Sequence, residues 1–484
     1  MILSFLSVSL GLILGRLSGF FREIFIATNL GATQQSDLVI LLLTTPDFLV
    51  NLLVGGALSM ALIPEFKSLG TEKSKALYVQ VMMVVGLLFL FLTLLLSLNA
   101  NYLISMLAPG IKDQIHLEYE KWFSLSLLSI PFTVLSGVTT AYLHYKNRFF
   151  VASLGTLIFN LVVIIFLQMA VYNGKALLLL VSIGILLASI TRLVVFVFNA
   201  DIFKVNIPIF RENHINVNLV SRYFHCIFSG GFFFIIPVAL RSLSSNYGDS
   251  EISLINYATK LVEFPLGVLI TVFSIIFFPK LSKSYSEKNL VLFSNTTTTV
   301  LLLVVFVSIA SMFPLYFHSE YYIQVIFGHS DEFSRDDLGS IALYLSLYAI
   351  SIPMQGANSL LIAALSAQRK TKLPLYASLI SVIFFLIGAS YFSYSVIDVL
   401  IWVVLSYSLC MVFLLYFAAK SRTIKFSRHF NRVLVVNMLF SIFSCLYYVY
   451  FDFDHLTVFA DGFVFLLQSL LILYSLKGLF LKEK

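Results

Sequence analysis

Arg16 and Arg22 lie inside the first apolar stretch of a 484-residue chain in which only 11% of residues are charged. A guanidinium near the centre of a bilayer costs about 2.5–3.5 kcal/mol on insertion scales, so it persists where it faces protein or a wet cavity. Glu23 follows Arg22 directly, and Lys260 and Glu263 sit in a later apolar stretch. Together they point to a polar chamber with excess positive charge, and the chemistry of such a chamber is anion binding. Arginine suits that task because its planar fork grips diphosphate oxygens at two points.

The first stretch reads Gly11-Leu-Ile-Leu-Gly15-Arg16-Leu-Ser18-Gly19-Phe-Phe-Arg22-Glu23. On a helix turning about 100° per residue, Arg16 and Glu23 nearly superimpose two turns apart, and Arg22 lies about 120° away. Gly11, Gly15 and Gly19 form a smooth stripe that lets a neighbouring helix or a ligand come close to the backbone. A buried structural ion pair is the competing reading. One carboxylate cannot neutralise two guanidiniums, which favours binding, with Glu23 orienting one of the arginines.

Other charges near the apolar stretches divide between chemistry and architecture. Lys260 and Glu263 are three apart and can pair with each other, or stand on a second chamber wall. Asp37 opens the second stretch, where a carboxylate also suits a helix N-terminus. Arg241 is close enough to a span end to snorkel, and Asp398 and Asp461 read as solvated acids near outer helix ends. Arg192, beside Thr191, stays open. Cys226, Cys410 and Cys445 fall within apolar stretches as packing residues, and the eight histidines show no metal-ligand spacing. No catalytic group, metal or cofactor is expected.

The elements that must position these residues are membrane helices. Hydrophobic residues make up 59% of the chain and the mean hydropathy is +0.96, far from a soluble domain. Fourteen spans are expected, at 3–28, 36–64, 76–98, 121–143, 150–171, 176–199, 224–245, 252–279, 290–313, 337–364, 373–392, 397–419, 433–450 and 457–476. Of 31 basic residues, 22 fall in one alternate set of loops and only Lys112, Lys175 and Arg335 in the other. The positive-inside rule then puts both termini in the cytoplasm. The first span, which runs past Arg16 with no small-residue cleavage site, is not read as a signal peptide. The net charge of +7 reflects loops meeting anionic lipid headgroups and not nucleic-acid binding.

The chain also resembles itself at a shift of 215–222 residues. Ser59-Met-Ala-Leu-Ile-Pro64 matches Ser274-Ile-Ile-Phe-Phe-Pro279, and Ser129-Ile-Pro131 matches Ser351-Ile-Pro353. Six spans separate the matches, so the repeats run parallel, a common transporter plan. The expected architecture is therefore an all-α polytopic membrane protein. It has two pseudo-symmetric six-helix lobes, residues 1–222 and 223–432, followed by a two-helix hairpin at 433–484.

The first-span signature, with Leu30-Gly31-Ala32, Ser36-Asp37, Gly56-Ala57-Leu-Ser59 and Ile63-Pro64, resembles the MurJ/MviN lipid II flippases. That family belongs to the multidrug/oligosaccharidyl-lipid/polysaccharide exporter superfamily. The likeness continues through Tyr257-Ala-Thr-Lys260-Leu-Val-Glu263-Phe-Pro265-Leu-Gly267. It implies a cationic central cavity with Arg16 and Arg22 as cavity arginines, Lys260 where the family has a third arginine, and Asp37 and Glu263 at its acidic positions. It further implies a terminal hairpin grooved for a polyprenyl tail. The implied partners are a lipid-linked glycan with its undecaprenyl diphosphate and the surrounding membrane lipids, at the bacterial inner membrane, with one copy of the chain sufficing.

Three positions depart from the family pattern. Val50-Asn51 replace a basic pair, Thr259 replaces an acid, and Lys260 gives up bidentate geometry. A flippase for an O-antigen or capsule repeat unit is the alternative. An ion-coupled exporter of cationic drugs would need acids where Arg16 and Arg22 stand, and a glycan polymerase would need a larger outer loop than 99–120 or 314–336 provides.

Overall fold

The computed structural model describes residues 2–53, 57–69, 71–111, 113–173, 176–201, 234–368, 372–424, 428–450 and 460–470, with residues 215, 219, 223, 370 and 472. The first ten positions of the expected seventh span, both ends of the fourteenth and Cys226 lie outside them. Every one of the fourteen expected segments contains α-helix, and the described residues contain no strand. Among the described residues, seven helices or helix runs are long and apolar enough to cross a membrane, and a bent pair at Arg335–Ala349 and Ile352–Ala367 makes an eighth. Helix α4 (Thr71–Leu98) shows why the solvent must be lipid. Leu87, Phe91 and Leu98 on it are 69%, 62% and 80% exposed, a continuous apolar face that water would not tolerate.

The chain divides into two compact units, Met1–Ser253 and Leu254–Lys484. In the first, α1 (Ile2–Leu30) ends at Gly31, whose φ of 59° turns the chain left-handed while its N–H still donates to the Ala27 carbonyl at 2.9 Å. Thr33 and Ser36 then exchange side-chain and backbone hydrogen bonds at 3.0 and 3.2 Å, which starts α2 (Gln34–Leu53). After α3 (Ala57–Leu69) and α4 come the short α5 (Ala100–Leu107), then α6 (Asp113–Leu127) and α7 (Ser129–Tyr145), broken at Leu128. Next are α8 (Phe149–Ser153), α9 (Gly155–Asn173), α10 (Leu177–Asn199) and α11 (Ile235–Ser244).

Helix α1 lies on α8 and α9, and the glycine stripe is the reason it can. A Cβ on Gly11 would stand 2.0 Å from Ser153 Oγ, one on Gly15 3.1 Å from Thr156 Cβ, and one on Gly19 3.2 Å from Asn160 Nδ2. Helix α7 holds the centre of the unit. Its Tyr142 stacks on Tyr78 of α4 at 4.5 Å and meets Phe66 of α3 edge-on at 5.3 Å.

The second unit holds most of α12 (Glu251–Ser286), then α13 (Leu290–Phe317), α14 (Ser319–Phe327), α15 (Arg335–Ala349) and α16 (Ile352–Ala367). The well-buried α13 packs against α15, α16 and α19 (Arg428–Tyr450). A reciprocal box between Ser334 and Asp337 caps α15. The α15–α16 pair bends by 43° at Ile350 and Ser351. Pro353 stands at the start of α16, where its missing N–H costs nothing. The two Ser-Ile-Pro motifs thus share one structural job: each opens the second half of a two-part helix, α7 in one unit and α16 in the other.

Helices α17 (Lys372–Phe392) and α18 (Val396–Lys420) follow, and the last described helix is α20 (Ala460–Leu470). A Cβ on Gly388 of α17 would stand 2.3 Å from the Trp402 ring of α18. Gly388→Ala is therefore expected to overpack this pair and cost about 1–3 kcal/mol. Gly339→Ala, where nothing lies within 4 Å, is expected to be neutral or mildly stabilising. Thermal unfolding of the purified protein in detergent reads both.

Candidate functional site

The two arginines of α1 have different fates. Arg22 is buried at 8% exposure. Its Nη2 donates to Glu23 Oε1 at 2.5 Å and its Nη1 to Asn160 Oδ1 at 3.0 Å. Asn160 Nδ2 in turn donates to Ser18 Oγ at 3.1 Å and the Gly15 carbonyl at 3.3 Å, and Ser18 Oγ donates to that same carbonyl. This chain of bonds ties α1 to α9 across the groove that the glycines open. The structure adopts the ion-pair alternative for Arg22, with Glu23 as the orienting acid, although its buried Nε has no partner among the described residues.

Arg16, six residues earlier and on another face, is exposed. It sits midway along α1, about 21 Å from either end at 1.5 Å per residue, and a side chain cannot snorkel that far. A guanidinium at that depth has to face protein or water and not acyl chains.

Asp37 is buried at 4%, and its Oδ1 accepts the Ser253 N–H at 2.7 Å. Ser253 lies in the first turn of α12, so this carboxylate serves a helix N-terminus, though of α12 instead of its own helix. Lys260 Nζ donates to Glu263 Oε2 at 2.6 Å, the self-paired arrangement, and the two side chains stay 25% and 36% exposed. Water still reaches both groups, so an incoming anion can compete for the ammonium.

Two expectations fail. Arg241 does not snorkel: it is buried at 7%, on a helix whose Ser242 Oγ donates to the Met106 carbonyl of α5. Asp461 is not solvated. It is 2% exposed and accepts from His318 Nδ1 at 2.9 and 3.0 Å and from Tyr322 Oη at 2.9 Å. Its partners lie 139 and 143 residues away, beyond the reach of any periodicity argument. Asp398 does stay near the surface, accepting from the Tyr394 N–H and Ser395 Oγ at the start of α18.

Asn160, the second anchor of Arg22, and Asp47, an exposed carboxylate inside α2 next to the buried Pro46, escape the sequence reading. For Asp47 the signal was present, since an acid inside an apolar span is as anomalous as an arginine. For Asn160 there was none. Asn160→Ala is expected to leave Arg22 Nη1 without its acceptor, at about 1–3 kcal/mol. The check is a lowered unfolding temperature in detergent together with undiminished membrane insertion.

Comparison with known proteins bears on the family and the fold. The family profile "Lipid II flippase MurJ" matches residues 26–468. A probable lipid II flippase MurJ of Buchnera aphidicola subsp. Baizongia pistaciae is 25% identical over 386 residues, covering 78% of this chain and 75% of the relative. Another, from Thermotoga maritima, is 24% identical over 387 residues, covering 78% and 76%. Among solved structures, an inward closed conformation of lipid II flippase MurJ superposes with a TM-score of 0.79 at 20% identity over 98% of this chain and 99% of that one. An inward-facing MATE family transporter of the MOP superfamily gives 0.66 at 12% identity over 86% and 98%. With the profile spanning nearly the whole length, this multi-pass membrane protein belongs to the lipid II flippase MurJ family, whose members are transporters and not enzymes.

Proposed function

We propose that the chain is a flippase that carries lipid II, the undecaprenyl-diphosphate-linked peptidoglycan precursor, from the inner to the outer leaflet of the bacterial inner membrane by alternating access. Both termini face the cytoplasm, and one copy of the chain performs the cycle. The observation that carries the reading is Arg16, an exposed cation at mid-helix in a membrane span.

Each residue has a distinct part. Arg16 pairs with diphosphate oxygens of the headgroup. Arg22, with Glu23 and Asn160, holds α1 against α9 and so fixes the position from which Arg16 reaches out. Lys260 exchanges Glu263 for the substrate anion, which makes headgroup capture a trade of one ion pair for another. Asp37 secures the first turn of α12, the helix that bears Lys260. No bond is made or broken. The protein lowers the cost of moving a charged head through about 30 Å of hydrocarbon. Release requires that the head bind less tightly in the outward state, because a carrier shifts its equilibrium only by its differential affinity.

A second reading, a flippase for another polyprenyl-linked oligosaccharide, draws on the Lys260–Glu263 pair, which offers a looser diphosphate grip than a bidentate arginine. Complementation of a strain depleted of its lipid II flippase separates the two. The native chain is expected to restore growth, and Arg16→Ala to abolish it while inserting normally. Arg22→Ala is expected to act through folding instead, lowering the amount of stable protein, because it breaks the buried Arg22–Glu23 ion pair, at about 3–5 kcal/mol. Normal growth on Arg16→Ala defeats the cavity role.

A further inference from the structure

Arg192, like Arg241, is an intramembrane cation left without an assignment. It lies on α10 about 10 Å from the helix end at Asn199 and is partly exposed. Arg22 is clasped by Glu23 and Lys260 by Glu263, but Arg192 touches no carboxylate among the described residues, and its buried Nε has no hydrogen-bond partner there. What holds it is carbon. The guanidinium stacks on the Phe196 ring at 5.6 Å, and its Nε occupies the space that a side chain on residue 155 would fill: a Cβ on Gly155 would stand 2.8 Å from Nε and 2.5 Å from the Phe196 ring. The seat fixes the side chain without neutralising it.

The charge that Arg192 does feel is that of Asp47, on α2, which packs against α10. Asp47 is exposed inside a membrane span, and a carboxylate in that setting borders water or protein and not acyl chains. Arg192 keeps part of its surface exposed on α10, the helix that α2 packs against. A guanidinium that is stacked on an aromatic ring, partly exposed and in contact with no carboxylate among the described residues suits an oxyanion.

We propose that Arg192 is a further anion-binding residue of this protein and receives phosphate oxygens at the inner end of the first unit, with Asp47 as the charge that an arriving anion displaces. This rests on the flippase reading, in which the phosphates are those of the lipid-linked headgroup. An anionic phospholipid carries the same chemistry, so the test includes both.

Native, Arg192→Met, Arg192→Lys and Arg16→Ala proteins are compared in detergent for binding of lipid II and of phosphatidylglycerol by native mass spectrometry, for unfolding temperature, and for complementation. Arg192→Met is expected to unfold at the same or a higher temperature, because a cation is removed from an apolar setting. It is also expected to bind lipid II roughly tenfold more weakly, with Arg192→Lys recovering part of the loss and phosphatidylglycerol binding unchanged. Native-like lipid II binding by Arg192→Met overturns the proposal. So does a loss confined to phosphatidylglycerol, which makes the residue a phospholipid contact, and so does a lowered unfolding temperature in both variants, which makes it structural. If the native chain neither binds lipid II nor complements, the flippase reading falls. If Arg16→Ala fails while Arg192→Met binds lipid II like the native chain, only the role of Arg192 falls.

Discussion

The clasp of Arg22 by Glu23 and Asn160 is the interaction on which the first unit depends. Three glycines let α1 approach α9 to near backbone contact, and hydrocarbon offers no hydrophobic drive to keep two apolar helices together. A buried charge pair completed by an amide supplies what apolar packing alone does not: a direction and a register. It also fixes the rotation of α1, and that rotation leaves Arg16 exposed. One arginine is tied into the architecture, and the other is left on an exposed face of the same helix.

The same division recurs through the charged residues. Asp37 and Asp461 are almost fully buried and accept hydrogen bonds, Lys260 and Glu263 are paired yet partly exposed, and Arg16, Asp47 and Arg192 keep an exposed side. In a membrane a charge has few options: a partner, water or a ligand. Burial therefore separates the enclosed charges from the exposed ones more sharply than residue type does.

Membrane spans and the glycine stripe were legible in the sequence because both are local. A run of about 20 apolar residues declares its own length, and Gly11, Gly15 and Gly19 declare a face without knowledge of what covers it. The repeated Ser-Ile-Pro was legible as a repeat, and its meaning, a helix restarted partway through a span, emerged with α7 and α16. The pairing of polar groups was not legible. Asn160 looks like any amide in an apolar helix until α1 lies against it. Asp461 looks like a surface acid until His318 and Tyr322 arrive from 143 and 139 residues away. Helical angles placed Glu23 beneath Arg16, yet side-chain length lets it reach Arg22 next door. Tertiary neighbours, not periodicity, decide such matters.

The Asp461 cluster bears on how the chain is made. His318 and Tyr322 emerge from the ribosome long before their acceptor does, so their donors must wait through the synthesis of α15 to α19. The carboxylate then enters the bilayer on the last described helix, a segment whose acid makes it a reluctant inserter by itself. Its hydrogen bonds on α13 and α14 provide the destination. A chain that stops before residue 461 therefore leaves His318 and Tyr322 without this acceptor.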